Sequence, residues 1–335
     1  MSFIIPKKPQ IMYAPMLASF GGGSARGFNP GGGDGIYTEL DLRINAYPET
    51  GGTQQGVQKG GTLAQYRTNA SGNNDASTTI VDRIGDGILV VPAKAGTYNL
   101  EAGSSNGSGG SSSRGLAMTN ATMTLPSNVT LLILVGNNGT GQYSAGGGTF
   151  IATANSESAP THTDMTSANA VLVIGGGGGG YTNTNAWQNP GAISNQLSNA
   201  ESRQGDQDSS LWDYDAGAGF LNSYTPFSGE GGGYTSATIP HHFVQGGRGA
   251  AAPHCGTDAR GGFGGGGGSC PSGGGGYEGG FSGSNTGQIG GGGGTSYYNS
   301  AYINASFSQA QGGFHNTNYS YFTQSASGYV SITPQ

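Results

Sequence analysis

Runs of consecutive glycine constrain this chain more than any other feature of its sequence. Glycine accounts for 69 of the 335 residues, roughly three times its usual share. Flexible linkers usually mix glycine with serine and join domains, whereas the glycines at 175–180 directly follow a strand-like apolar sequence at 171–174. A structural role for glycine therefore has to be weighed against a linker role. The uninterrupted blocks between the predicted strands are residues 146–148, 175–180, 231–233, 264–268, 273–276 and 290–294.

Polyglycine segments can pack side by side because they have no Cβ atoms. In the extended, threefold polyglycine II helix, each backbone N–H and C=O can bond a neighbouring chain, so that no buried group lacks a partner. Ordering glycine costs more conformational entropy than ordering any other residue, so many such helices have to form together. We therefore predict packed polyglycine II helices, with flexible linkers as the alternative.

The composition indicates a folded chain that binds no nucleic acid and does not insert into a membrane. Charged residues make up 9% of the sequence, and 17 tyrosines and 12 phenylalanines supply apolar surface for a core. Nucleic-acid binding needs clustered basic residues, and the chain offers only the pair Lys7 and Lys8. No apolar run reaches the length of a membrane-spanning helix, and prolines interrupt the N-terminus where a secretory signal needs a continuous apolar segment. An extracellular protein without such a signal is explained first by release on cell lysis. Another export route, or a signal removed before residue 1, is the alternative.

Enzyme and cofactor motifs occur here only as by-products of abundant glycine and serine. Residues 175–180 satisfy the pattern G-x-G-x-x-G, but the helical periodicity that a dinucleotide site requires does not follow. The G-x-S-x-G at 103–107 lacks the strand–turn–helix context of a serine hydrolase. The histidines form no zinc motif, and His241 and His242 are predicted to be an exposed loop pair. We expect a protein that is not an enzyme and binds no cofactor.

The chain divides by sequence character into three parts. Residues 1–35 are interrupted by prolines and predict an extended arm. Residues 36–86 begin with an alternating strand at 36–44, with Leu40 and Leu42 on its apolar face, and continue as a polar connector. Residues 87–335 contain short strands and no amphipathic helix, which predicts an all-β sandwich. The predicted strands are residues 87–92, 97–102, 129–135, 149–152, 170–174 and 328–332.

One part of the sequence resembles a known extracellular domain. The segment from Arg260 to Tyr277, with Cys270 between two glycine blocks, is similar to the glycine-rich extracellular domain of the anaplastic lymphoma kinase and leukocyte tyrosine kinase family. The resemblance implies a jelly-roll sandwich, similar to tumour necrosis factor, with inserted polyglycine II helices. Neither the kinase nor the membrane span of that family occurs in this sequence, so signalling is not implied. The other similar segments are residues 91–98, 132–136, 146–150, 173–180 and 328–332.

Both tryptophans lie in one predicted loop region, together with several tyrosines and phenylalanines. Trp and Tyr are the residues that most often anchor interfaces. The region therefore predicts a binding loop, and the alternative is that its rings pack against the glycine helices as local core. The candidate binding residues are Tyr181, Trp187, Trp212, Tyr214, Phe220, Tyr224 and Phe227.

The two cysteines and a group of aspartates are further candidates for a structural or ligand-binding role. In an extracellular protein, Cys255 and Cys270 predict a disulfide bond, and the resemblance implies the same pairing; two buried free thiols are the alternative. Alternate carboxylates can bind calcium, but the glycine and closing glutamate of an EF-hand are missing, so a solvated acidic loop is favoured and no metal is expected. The aspartates are Asp206, Asp208, Asp213 and Asp215.

These patterns together predict a phage virion protein, and above all a tail-fibre or tail-tip adhesin that binds a host-surface receptor. Residues 6–16 and 21–28 are similar to the leaders of tail and fibre proteins of tailed phages. The arm is therefore expected to bind other virion proteins within a larger assembly. A structural, matrix or capsid-decoration protein without a receptor role is the first alternative, and an extracellular ligand-binding module is the second.

Overall fold

The structure is a computed structural model of the whole chain. The chain separates into two units, residues 1–33 and 34–335, and all the described residues belong to the second. The predicted arm at 1–35 lies outside the described residues, as does much of the predicted connector. The structure describes residues 40–42, 58–64, 79–108, 114–141, 143–179, 193–195, 216–221, 239–251, 260–268, 272–283, 290–311 and 327–335.

The described strands form two sheets, which confirms the prediction of an all-β fold. In chain order they are β1 (Leu40–Asp41), β2 (Asp82–Ile84), β3 (Ile88–Ala93), β4 (Gly96–Gly103), β5 (Leu116–Leu125), β6 (Val129–Leu134), β7 (Thr149–Thr153), β8 (Ala170–Ile174), β9 (Ile193–Ser194), β10 (Ser296–Tyr298), β11 (Ser308–Gln311) and β12 (Tyr329–Pro334). A five-stranded antiparallel sheet has the order β1-β12-β4-β5-β11. A seven-stranded sheet has the order β2-β3-β6-β7-β8-β10-β9, in which only β9 and β10 are parallel.

A hydrophobic core lies between the two sheets. Alternate residues of the central strands point into it, as the two-residue period of a strand requires, and burying one such aliphatic side chain contributes about 1.5–3 kcal/mol. Leu40 and Leu42 are both fully buried in this core, so the alternation predicted for 36–44 is confirmed over residues 40–42. The core residues of the central strands include Leu89, Val91, Leu100, Leu131, Ile133, Ile151, Val330 and Ile332.

The seven-stranded sheet is buried on its other face as well. There the remaining residues of each strand contact aromatic rings from irregular segments of the chain. A strand that is covered on both faces needs apolar residues at successive positions, which explains the continuous apolar sequences at 88–91 and 131–134. The sheet therefore lies between the five-stranded sheet and a layer of irregular chain. This second core includes Ile88, Val90, Leu132, Leu134, Phe150, Val173, Phe220, Phe243 and Phe263.

The longest described strand, β5, is the main element that the sequence did not predict. Leu116 and Met118 face the core in its first half, and Ala121 and Met123 face it in the second. The shift from even to odd positions occurs at a bulge, where Asn120 has a φ of 56°. An extra residue breaks the two-residue period by which a strand is recognised. The six strands predicted within residues 87–335 correspond to β3, β4, β6, β7, β8 and β12.

Candidate functional site

The glycine blocks continue the strands beyond one end of the seven-stranded sheet. β6 and β8 run on into residues 135–141 and 175–179, and residues 143–148 lead directly into β7. Neighbouring extensions are joined by backbone hydrogen bonds, such as that from the Gly146 N–H to the Gly177 carbonyl at 2.8 Å. We define the glycine layer as residues 104–108, 135–141, 143–148, 175–179, 261–268, 272–280 and 290–294.

Hydrogen bonds within the glycine layer point in several directions. The N–H groups of residues 146, 147 and 148 donate to the carbonyls of Gly177, Asn137 and Gly264, at 2.8, 3.0 and 2.9 Å. In a β-ladder, by contrast, the hydrogen bonds of a strand lie within the plane of the sheet. Three successive residues thus bind three different segments, and the glycine layer is cross-linked in three dimensions.

Many glycines of the glycine layer have no room for a side chain. A Cβ atom on Gly266 would lie 2.7 Å from both the carbonyl oxygen of Ala145 and the amide nitrogen of Gly262, whereas ordinary contact begins at 3.4 Å. At several other positions a Cβ would overlap a neighbouring carbonyl group. The glycines of the described blocks are buried, apart from the half-buried Gly293. These blocks are therefore packed elements rather than exposed linkers, and the block 231–233 lies outside the described residues.

Several segments of the glycine layer end together, on the side away from the strands. The Ser272 N–H and Oγ donate to the Tyr143 carbonyl at 3.3 and 3.1 Å, the Gly179 N–H donates to Ser272 at 2.7 Å, and the Gly291 N–H donates to Gly179 at 2.8 Å. We define the outer end as Ser108, Tyr143, Ser144, Gly179, Ser272 and Gly291. Five segments outside the described residues join the layer here or one residue away: 109–113, residue 142, 180–192, 269–271 and 284–289.

Six of the seven predicted binding residues lie outside the described residues. Tyr181 follows Gly179, the last described residue of its glycine block, by two positions in the sequence. The role of all six residues as receptor contacts stays a prediction. The other five are Trp187, Trp212, Tyr214, Tyr224 and Phe227.

Phe220, the seventh predicted binding residue, is a core residue. Its side chain is completely buried, and its ring stacks on those of Phe243 and Tyr277, with centroids 5.1 and 6.1 Å away. Its assignment to an exposed binding loop is therefore corrected, and for this ring the alternative of local core applies. Burial of Tyr277 is the main cause that raises the pKa of its hydroxyl to about 12, and the neighbouring Tyr297 adds to it. The stack thus remains uncharged at any ordinary pH.

A charged corner, which the sequence did not predict, fastens distant segments to the turn between β2 and β3. Lys59 Nζ lies 3.1 Å from one carboxylate oxygen of Asp86, and the His241 ring lies 3.7 Å from the other. Arg83 Nη2 donates to the carbonyl oxygens of Gly60 and Asp86 at 3.2 and 3.1 Å. Because these groups bind one another, the corner has a structural role. No local sequence pattern predicts this corner, because its members come from segments that are far apart in the sequence.

His242 is buried beside this corner, so the prediction that it belongs to an exposed pair is wrong. It immediately precedes the short 3-10 helix Phe243–Gln245, which places Phe243 in the second core. The Nδ1 atom accepts a hydrogen bond from the Gly219 N–H at 3.0 Å. Burial is the main cause that lowers the pKa of His242 to about 4, and the neighbouring His241 adds to it. His242 is therefore a neutral acceptor that binds two irregular segments together.

The cysteines lie outside the described residues, in two segments that leave the described chain at neighbouring places. Ala250 and Gly268 precede the segments that hold Cys255 and Cys270, and a Cβ on Gly268 would lie 2.9 Å from the Ala250 carbonyl oxygen. The disulfide bond between Cys255 and Cys270 stays a prediction.

The predicted calcium candidates also lie outside the described residues. Within the part of the chain that the structure describes, no three His, Cys, Asp or Glu residues group together in a way that could hold a metal ion. No described helix is both long enough and apolar enough to cross a membrane. The aspartates concerned are Asp206, Asp208, Asp213 and Asp215.

Comparison with known proteins assigns this chain to no family: no protein-family model matches it, and no curated protein matches it.

Proposed function

We propose that this chain is a phage virion protein, specifically a tail-fibre or tail-tip adhesin that binds a host-surface receptor, and that it is not an enzyme. The observation that carries the proposal is the outer end of the glycine layer. There, glycine-rich strand extensions are bonded into a packed support, and an uncharged segment with Tyr181 and Trp187 begins directly beyond it. A rigid support favours binding, because loops that are held beforehand lose less entropy when they engage a partner.

We also propose that the fold is a jelly roll with inserted polyglycine II helices. Hydrogen bonds from residues 146–148 to three different neighbours support a threefold polyglycine II arrangement. Two sheets that enclose one core support a jelly roll, an architecture that occurs in viral capsid and lectin domains. A fold does not assign a function by itself, so the functional proposal depends on the outer end.

The arm at residues 1–35 is proposed to bind other virion proteins. The arm precedes β1 in the sequence. β1 is an edge strand of the five-stranded sheet, and its Leu40 is fully buried in the core. A proline-rich chain of this length does not form a core of its own, and strand addition to a partner would order it. The proposed location is therefore the surface of the virion, within a larger assembly.

Replacing both Trp187 and Trp212 by alanine tests the receptor-binding role. Particles should assemble normally but adsorb to host cells at least about 30-fold more weakly, since interface anchors of this kind contribute roughly 2 kcal/mol or more. The matched control replaces Glu157 and Ser158, which are exposed in the loop between β7 and β8 at the opposite end of the sheet. Adsorption constants of the two particles provide the comparison.

Normal adsorption of the double tryptophan variant would remove the case for these residues as receptor contacts. Failure of that variant to assemble would favour the structural or capsid-decoration alternative instead.

A further inference from the structure

Asn138 and Gly139 form an asparagine–glycine pair in the segment that continues β6 into the glycine layer. Neither residue belongs to a strand. In such a pair the backbone nitrogen of glycine can attack the preceding side-chain amide, because glycine has no Cβ to hinder the approach. The sequence contains one other pair of this kind, Asn106 and Gly107, and the structure describes both. The two pairs can therefore be compared within one molecule.

The packing around Gly139 requires glycine, so the fold itself imposes the reactive neighbour. A Cβ there would lie 2.6 Å from both the Ala145 carbonyl oxygen and the Ser144 Oγ. The buried Oδ1 atom of Asn138 has no hydrogen-bond partner among the described residues. The Gly139 N–H likewise donates no hydrogen bond within the described part of the chain. Neither the attacking nitrogen nor the carbonyl under attack is thus held by a bond that would have to break.

The second pair, by contrast, is held in place. The Oδ1 atom of Asn106 accepts a hydrogen bond from the Gly115 N–H at 2.7 Å, and a Cβ on Gly107 would overlap the Gly178 carbonyl. The amide has to rotate until its Cγ faces the next backbone nitrogen, so Asn106 must first give up this hydrogen bond. A net loss of about 1 kcal/mol for such a bond corresponds to a rate about fivefold lower. The fold therefore protects Asn106 but not Asn138.

We propose that Asn138 is a self-modification site, at which this protein converts an asparagine to aspartate or isoaspartate without an enzyme. The Gly139 nitrogen forms a bond to the Asn138 Cγ, the bond from Cγ to Nδ2 breaks, and the Gly139 amide proton leaves with Nδ2 as ammonia. Water then opens the resulting cyclic imide. Opening at one carbonyl gives aspartate, and opening at the other gives isoaspartate, in which the main chain runs through the former side chain. This inference is independent of the proposed receptor-binding function.

Isoaspartate at position 138 would loosen the glycine layer, because the chain is fixed on both sides of the pair. The Asn137 N–H donates to the Phe263 carbonyl at 2.8 Å, and Thr140 and Arg260 exchange two backbone hydrogen bonds of 2.8 and 2.7 Å. Isoaspartate adds a carbon atom to the main chain between these fixed points. It also leaves a carboxylate where the buried amide oxygen has no donor, and an unpaired buried charge is unfavourable. The modified protein should therefore melt at a lower temperature.

Incubation of the purified full-length protein at neutral and mildly alkaline pH tests the inference. Peptide mapping by mass spectrometry and isoaspartate-specific methylation should show that the folded protein converts Asn138 at least about fivefold faster than Asn106. Conversion should accelerate with pH, because the attacking nitrogen has to lose its proton. In urea the two sites should convert at similar rates, because the hydrogen bond from Gly115 is then lost. The two pairs are thus each other's matched control.

Thermal melting of the same samples measures the consequence for the glycine layer. The melting temperature of the original protein should fall in step with conversion at Asn138. Asn138→Gln should keep its own initial melting temperature, because glutamine would have to form a six-membered imide and reacts far more slowly.

Four results would overturn the inference. Conversion of Asn138 in urea but not in the folded protein would show that packing blocks the attack. Equal rates at Asn138 and Asn106 in the folded protein would show that the hydrogen bond from Gly115 gives no protection. Conversion without a change in melting temperature would refute the effect on the glycine layer, and an equal fall in Asn138→Gln would place the damage at another residue.

Discussion

Replacing Gly266 by alanine measures whether the glycine layer is a packed element. The new Cβ would lie 2.7 Å from the Ala145 carbonyl oxygen and the Gly262 amide nitrogen, which are themselves hydrogen-bonded to each other at 2.9 Å. Both atoms belong to the backbone, so they cannot rotate aside, and each would have to move by at least about 0.7 Å to reach ordinary contact at 3.4 Å. Overpacking of this kind costs about 1–3 kcal/mol, and the weakened hydrogen bond adds about 1 kcal/mol.

The free energy of unfolding should thus fall by about 2–4 kcal/mol, a large part of the 5–15 kcal/mol found for a typical protein. A flexible linker predicts the opposite sign, because alanine restricts the unfolded chain and stabilises by about 0.4–1 kcal/mol. Urea denaturation of the full-length protein, followed by circular dichroism, measures the difference. Gly293→Ala, at the half-buried position, is the control and should change stability by less than about 1 kcal/mol. Equal or greater stability of the Gly266 variant would refute the packing argument.

Four further predictions concern single residues and the arm. The pKa of His242 is about 4 in the fold and 6.5 in an unfolded chain. The free energy of unfolding should therefore be highest above pH 6.5 and fall by about 3 kcal/mol as the pH drops to 4. Urea midpoints of His242→Asn, measured across this pH range, should lack most of this fall. Intact mass after alkylation without reductant should show no modified thiol at Cys255 or Cys270, and two modified thiols in fresh particles would exclude the bridge. Deleting residues 1–28 should leave a folded, soluble head that is missing from purified particles. Phe220→Ala should destabilise the protein by about 3–5 kcal/mol in thermal melts, whereas a receptor contact would leave melting unchanged.

The strands were predictable where local sequence determines them. Residues 88–91 and 131–134 are continuously apolar because both faces of their sheet are covered, and such runs are recognisable without a structure. β5 was not recognisable, because the bulge at Asn120 moves its apolar residues from even to odd positions. Pairs such as β9 with β10 are too short to have a period at all.

The candidate site was predictable only in outline. Pure glycine blocks indicated packing, but which carbonyl lies against which glycine depends on contacts between distant segments, and glycine carries no side-chain pattern to reveal them. Phe220 shared its aromatic character with the predicted binding residues, and only its position under the seven-stranded sheet separates it from them.

Electron microscopy of intact particles labelled with a gold-conjugated antibody against residues 87–335 tests the proposed function most directly. The proposal predicts gold at the tips of tails or tail fibres, and it predicts that the same antibody prevents adsorption to host cells. Gold in a regular lattice over the capsid, with adsorption unaffected, would contradict the receptor-binding role and favour a decoration protein.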